Sequence, residues 1–141
     1  MPITSVAFVP KNIDAKIGDE FNKPQFIYVD RAQIVDQKKG RNQLVIFFPG
    51  TNGAGHGGKG FCELAATLGF HAMSLTYNTS IPATVCSKDP DVNAHEAFRM
   101  ACLQGGESKY LTVSRAESME NRLITWLQRL GIHSRVYSCQ L

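Results

Sequence analysis

A chain of 141 residues with 43% hydrophobic and 19% charged content has the size and composition of one ordinary globular domain, which excludes the disordered and fibrous classes. The net charge of +3 comes from scattered basic residues, the densest group being Lys38, Lys39 and Arg41 in an apparent turn. That describes a solvated surface and argues against a nucleic-acid partner.

No membrane span is expected, because the longest purely apolar run is the five residues from Leu44, against the ~18 that a span requires. The segment Met1, Pro2, Ile3, Thr4 shows no basic stretch leading into an apolar one, so no export signal is read there and a soluble, cytoplasmic protein is expected. Cys62, Cys86, Cys102 and Cys139 have no CxxC spacing and no paired histidines beside them, so no metal is expected. Reduced, buried thiols are the reading, with a Cys86 to Cys102 disulfide as its alternative.

Taken in order, Thr4 to Val9 and Gln25 to Val29 read as short strands, and Ala32 to Val35 as the start of another before a turn at Lys38 to Asn42. These give an antiparallel beginning. Leu44 to Phe48 is an unalternated apolar run, which fits a strand covered on both faces. A glycine-rich loop follows, and then Phe61, Leu64, Ala65 and Leu68 recur at helical spacing, with Gly69 placed to end the helix. Phe70 to Tyr77 is the next strand, so this segment forms a strand, helix, strand unit with parallel strands.

After a polar loop from Asn78 to Lys88, Asp89 and Pro90 predict a helix start, with Ala94, Ala97, Phe98, Ala101 and Cys102 as its inner face and Gly105 and Gly106 as its stop. Ser114 and Glu117 form a capping box ahead of Met119, Leu123, Trp126, Leu127 and Leu130, and Gly131 ends that third helix. Arg135 to Leu141 reads as one more strand. The fold class is therefore α/β in a single domain over 1–141, with antiparallel strands first, parallel strands next, and about three flanking helices.

The loop from Gly50 to Gly60 carries the chemistry, since glycines at the end of a buried strand let main-chain amides approach a ligand. Gly53, Gly55 and Gly58 satisfy GxGxxG, but no acidic residue follows the next strand near Tyr77 and Asn78, as a dinucleotide site requires. Gly53, Gly58 and Lys59 match most of a phosphate-binding loop, but Gly60 takes the place of the magnesium-ligating serine or threonine. A ligand-free flexible turn is the bland alternative.

Another reading comes from resemblance. Asn42, Gln43 and Leu44 lead into Phe47, Phe48, Pro49, Gly50 and Thr51; Leu68, Gly69, Phe70 and His71 open the next strand; Ser118, Met119, Glu120, Asn121, Arg122 and Leu123 come later. From Tyr28 to Leu130 this order resembles the N-terminal half of an α/β-hydrolase-fold protein, particularly a group of predicted serine hydrolases. The resemblance implies a sheet of that type, an ester-like acyl ligand, and an oxyanion-hole amide from Thr51, with Asn52 next to it. Gly50 and Gly53 would let the backbone turn to present that amide, and His56 in the same loop either touches the ligand or stands in solvent.

The rest of that machinery is not found. The nucleophile of the fold belongs to GxSxG on a turn after a later strand, followed by an acid and a histidine. Gly106, Glu107, Ser108, Lys109, Tyr110 lacks the final glycine and follows a helix end. His71, His95 and His133 come too early for the base, and Cys139 has no glycine turn behind it. The expectation is a chain truncated before its nucleophile and inactive alone, with no cofactor, and with a sheet edge open to self-association. Its rivals are a small phosphate- or nucleotide-binding module on Gly53 to Gly60, with Lys59 as its cation, and a non-catalytic interaction protein.

Overall fold

The computed structural model describes residues 3–35 and 40–130. Its main sheet comprises β1 (Ile3–Phe8), β2 (Gln25–Asp30), β3 (Leu44–Phe47) and β4 (His71–Ser74), in the order β1, β2, β4, β3. The β1/β2 and β2/β4 pairs are antiparallel, and β3 runs parallel to β4 with Phe47 opposite Ser74. The helices are α1 (Arg31–Val35), α2 (Lys59–Thr67), α3 (Ala94–Gln104) and α4 (Met119–Arg129), and a small hairpin pairs β5 (Gly106–Glu107) with β6 (Thr112–Val113). This is a mixed α/β fold. No helix among the described residues is long and apolar enough to cross a membrane.

The strands alternate between two apolar faces, as the period of two dictates. Tyr28, Ala72, Val45 and Phe47 pack with Cys62, Ala65 and Ala66 of α2 on one face. Ile27, Ile46, Met73 and Leu75 pack with Leu123, Trp126 and Leu127 of α4 on the other. A third cluster joins Phe98 and Cys102 of α3 to Cys86, Leu111 and Val113. Asp89, its side chain 1% exposed, pins this third cluster by accepting from Lys109 Nζ at 2.8 Å and Tyr110 Oη at 2.5 Å, which hold its carboxyl down at about 2.

Local side-chain chemistry moves several expected boundaries. Residues 32–35 are helical, not extended, because the Asp30 carboxylate accepts from the Ala32 amide at 2.9 Å and turns the chain at the strand end. The helix expected from Pro90 begins at Ala94: Asp89 accepts from the Asp91 amide and Asp91 from the Asn93 amide, two successive turns that hold the backbone outside the helix. Ser118, not Ser114, caps α4, its hydroxyl accepting from the Asn121 amide at 3.2 Å, while Ser114 and Glu117 bracket a preceding 3-10 turn. The turn at 38–42 lies partly, and the strand at 135–141 and Cys139 wholly, outside the described residues.

Burial differs too. The run at Leu44 to Phe48 lies at the edge of the sheet among the described strands and is covered only in part, with Leu44 40% and Phe48 38% exposed. On α2, Cys62, Ala65 and Ala66 face the sheet, so of the residues at helical spacing Ala65 is buried while Phe61, Leu64 and, at the helix end, Leu68 face outward. Small residues inside bring α2 close to the strands. At Gly58 a side chain would collide with the Phe47 ring, so this helix start requires glycine.

Arg122, 1% exposed, joins three segments that are distant in sequence. Its Nη2 donates to the Phe21 carbonyl at 3.0 Å, its Nη1 to the Thr76 carbonyl at 3.1 Å, and its Nε to the Glu117 carbonyl at 3.1 Å. Burial lowers the guanidinium to about 10, which leaves it charged at neutral pH. Replacing it empties three carbonyls, the Thr76 one buried and the other two partly so, of their donor. Arg122→Met is expected to lower the unfolding free energy by about 3 kcal/mol in urea titration, whereas Arg129→Met at the exposed end of α4 stays within about 0.5 kcal/mol; equal effects would contradict this role.

Candidate functional site

Parallel strands β3 and β4 end side by side, and the loops leaving them enclose a cleft of about 200 Å³. A strand end of this kind is where open α/β sheets bind ligands. The first loop turns tightly at Gly50 to Gly53, closed by the Gly53 amide donating to the Gly50 carbonyl at 2.8 Å. Asn52, third in that turn, has φ of 57°, the left-handed conformation that a type II turn demands and that asparagine tolerates. Gly53 needs its missing side chain, because a Cβ would lie 2.7 Å from Pro49 Cβ.

The second loop locks the first. The Asn52 amide donates to the Thr79 carbonyl at 2.9 Å. With Asn52 and Gly53 both engaged, the Gly50 and Thr51 amides are the two in this turn that donate to no described group. Gly50 and Thr51 line the cleft together with Tyr77, Asn78, Phe98 and Arg99. Asn52 instead lines a neighbouring hollow of about 170 Å³ with Phe21, Lys23 and Ser80. His56 is exposed in the 3-10 turn Gly55–Gly58, outside the cleft lining, and Gly53 turns inward. Of the residues expected from the sequence, the structure thus brings Gly50 and Thr51 into one site and separates Asn52, Gly53 and His56 from it.

Charge in the cleft comes from one residue. Burial raises both the Tyr77 phenol and the Cys102 thiol above their ordinary values, so each is neutral near pH 7, while the nearby Arg99 guanidinium partly opposes both rises. Sequence reasoning placed Tyr77 and Asn78 at a strand end and did not single out Arg99. Only the convergence of α3 with the two loops identifies them, and no local pattern signals that.

The glycines of the nucleotide-like motifs serve the protein itself. A Cβ at Gly55 would lie 2.6 Å from the Pro24 carbonyl oxygen, and the Gly55 carbonyl accepts from Ser74 Oγ at 2.5 Å. Lys59 is turned toward Glu63, 3.9 Å away along the helix. Ser108 belongs to the turn of the β5/β6 hairpin, where its hydroxyl and amide both bond Leu111, so it occupies no strand-to-helix elbow. Cys62, Cys86 and Cys102 are free and buried, and no cluster of three metal-ligating side chains occurs among the described residues.

In hydrogen exchange at neutral pH, the Asn52 and Gly53 amides are expected to be protected at least ~10-fold more than the Thr51 amide. Uniform exchange along 51–53 would contradict this arrangement. Comparison with family models, curated proteins and solved structures yields no match for this chain, so the cleft is read from its own geometry.

Proposed function

We propose that the cleft receives the acyl group of a small ester-like ligand and that the Thr51 amide is one donor of an oxyanion hole of the serine-hydrolase type. The observation that carries this reading is that the adjacent Gly50 and Thr51, whose amides donate to no described group, line the cleft, while the Asn52 and Gly53 amides that follow are engaged. Its position supports it as well: the loop follows the third strand and leads into the helix behind it, the place from which the α/β-hydrolase fold draws one oxyanion amide. A fixed N–H aimed at a developing negative oxygen is worth about 3 kcal/mol in a transition state.

Among the described residues the chemistry stops there. No described residue combines a strand-to-helix nucleophile turn with a base beside the cleft, so the chain alone binds the acyl group and adds only the residual rate of a hole without its triad. Hydrolysis of p-nitrophenyl acetate stays close to the buffer rate. Thr51→Pro removes the donor at a turn position that accepts proline. By calorimetry it is expected to weaken binding of the neutral tetrahedral probe dimethyl methylphosphonate by about tenfold or more; binding equal to the wild type overturns the oxyanion assignment. The phosphate-loop alternative draws no comparable support, because its glycines pack into the protein and Lys59 faces Glu63.

A second reading, self-association, rests on β3. Among the described strands it pairs only with β4, which leaves one edge of hydrogen-bonding groups open beside exposed Leu44, Phe48 and Phe61. Such an edge pairs readily with another copy. Sedimentation is expected to show dimers or larger species that Leu44→Lys converts to monomer, and a wild-type monomer at the same concentration would refute it.

A further inference from the structure

Resting on the acyl-binding reading of the same cleft, we propose that its ligand carries a second, negatively charged oxygen group, a carboxylate or phosphate, recognised by Arg99 and Asn78. Asn78 is 93% buried, being 7% exposed, and its orientation is fixed by its neighbours. The Ser80 amide donates to its Oδ1 at 3.1 Å and the Ser80 hydroxyl donates to the same oxygen at 2.7 Å. Since the oxygen must be the acceptor of the amide, the Nδ2 group is the end left over. It donates to no described group, and Asn78 lines the cleft.

Arg99 brings the charge. It projects from the middle of α3, lines the same cleft, and forms no ion pair with a described carboxylate. The other titratable lining groups, Tyr77 and Cys102, are uncharged near pH 7, so nothing there neutralises the guanidinium. The cleft therefore offers three kinds of donor, the Thr51 amide, the Asn78 amide group and the Arg99 fork, around apolar walls that include Phe98 and Ile81. A neutral ester oxygen accounts for one of them. A buried amide group and an unpaired guanidinium are matched by an oxyanion, for which charge-assisted bonds are the strongest.

The test is a matched pair of probes, monomethyl succinate and dimethyl succinate, titrated by calorimetry at low salt into wild type, Arg99→Met and Asn78→Asp. Inorganic phosphate and acetate, run alongside, separate a phosphate preference from a carboxylate one. Wild type is expected to bind the monoester about tenfold tighter than the diester, a preference that shrinks as salt is added. Arg99 is exposed, so Arg99→Met keeps the fold and removes that preference. Asn78→Asp keeps the Ser80 hydrogen bonds, places a carboxylate oxygen in the cleft, and is expected to reverse the preference.

Equal binding of the two esters by wild type, absence of binding by either, or a preference that survives Arg99→Met overturns the inference. The two proposals fail separately. If Thr51→Pro weakens the diester while charge has no effect, only the anion assignment falls; if the preference persists and Thr51→Pro changes nothing, only the oxyanion assignment falls.

Discussion

The structure depends on one buried cation that forms no ion pair with a described carboxylate and bonds backbone carbonyls instead. Arg122 spends its donors on the carbonyls of Phe21, Thr76 and Glu117, so three chain segments share one fixed point. Thr76 is where the chain leaves β4, and its hydroxyl donates in turn to the Lys23 carbonyl at 3.0 Å. With that exit held, Asn78 and Thr79 have defined positions, and Thr79 then engages the Asn52 amide of the loop after β3. The free Thr51 amide is thus the last link of a chain of contacts that begins in the core at α4. A buried guanidinium is costly to desolvate, and this one is retained at a junction from which the proposed site is positioned.

The glycine-rich loop divides by what each glycine faces. At Gly53, Gly55 and Gly58 an added Cβ meets Pro49, Pro24 or Phe47, whereas at Gly50, Gly57 and Gly60 it meets open space. The motif-like spacing therefore records close packing of a loop and helix start on β2 and β3. A phosphate cradle needs amides directed outward from a loop of this type, and here the inward-facing glycines coincide with the pattern that suggested the cradle. The open position that matters for the cleft is Gly50, immediately before the unpartnered amide.

Long-period patterns were readable in the sequence, and contacts between distant segments were not. The apolar run in Gln25 to Val29 and the helical spacing of Phe98 and Cys102, or of Trp126 and Leu127, each reflect burial against the sheet or its neighbours, so the elements and the α/β class follow from them. Boundaries slipped where a side chain took a backbone amide: Asp30 created α1, Asp89 and Asp91 delayed α3, and Ser118 displaced Ser114 as the cap of α4. Phe61, Leu64, Ala65 and Leu68 gave a correct helix, but of these only Ala65 faces the strands, because Cys62, Ala65 and Ala66 allow closer approach to them. At the site, Gly50 and Thr51 were legible from the strand end. Asn78 and Arg99 were not, since Asn78 read only as the start of a polar loop and no local pattern singled out Arg99 until the fold set both in the cleft with Thr51.

The most direct measurement of the central claim is the amide spectrum of 15N-labelled protein during titration with dimethyl methylphosphonate. A donor freshly engaged by a polarised oxygen moves downfield, so the Thr51 amide is expected to shift most, Asn78 Nδ2 to respond more weakly, and the engaged amides of Asn52 and Gly53 to hold their places. Shifts concentrated at Gly55 to Gly60 with Thr51 unmoved would contradict the account and return the loop to a phosphate-binding role.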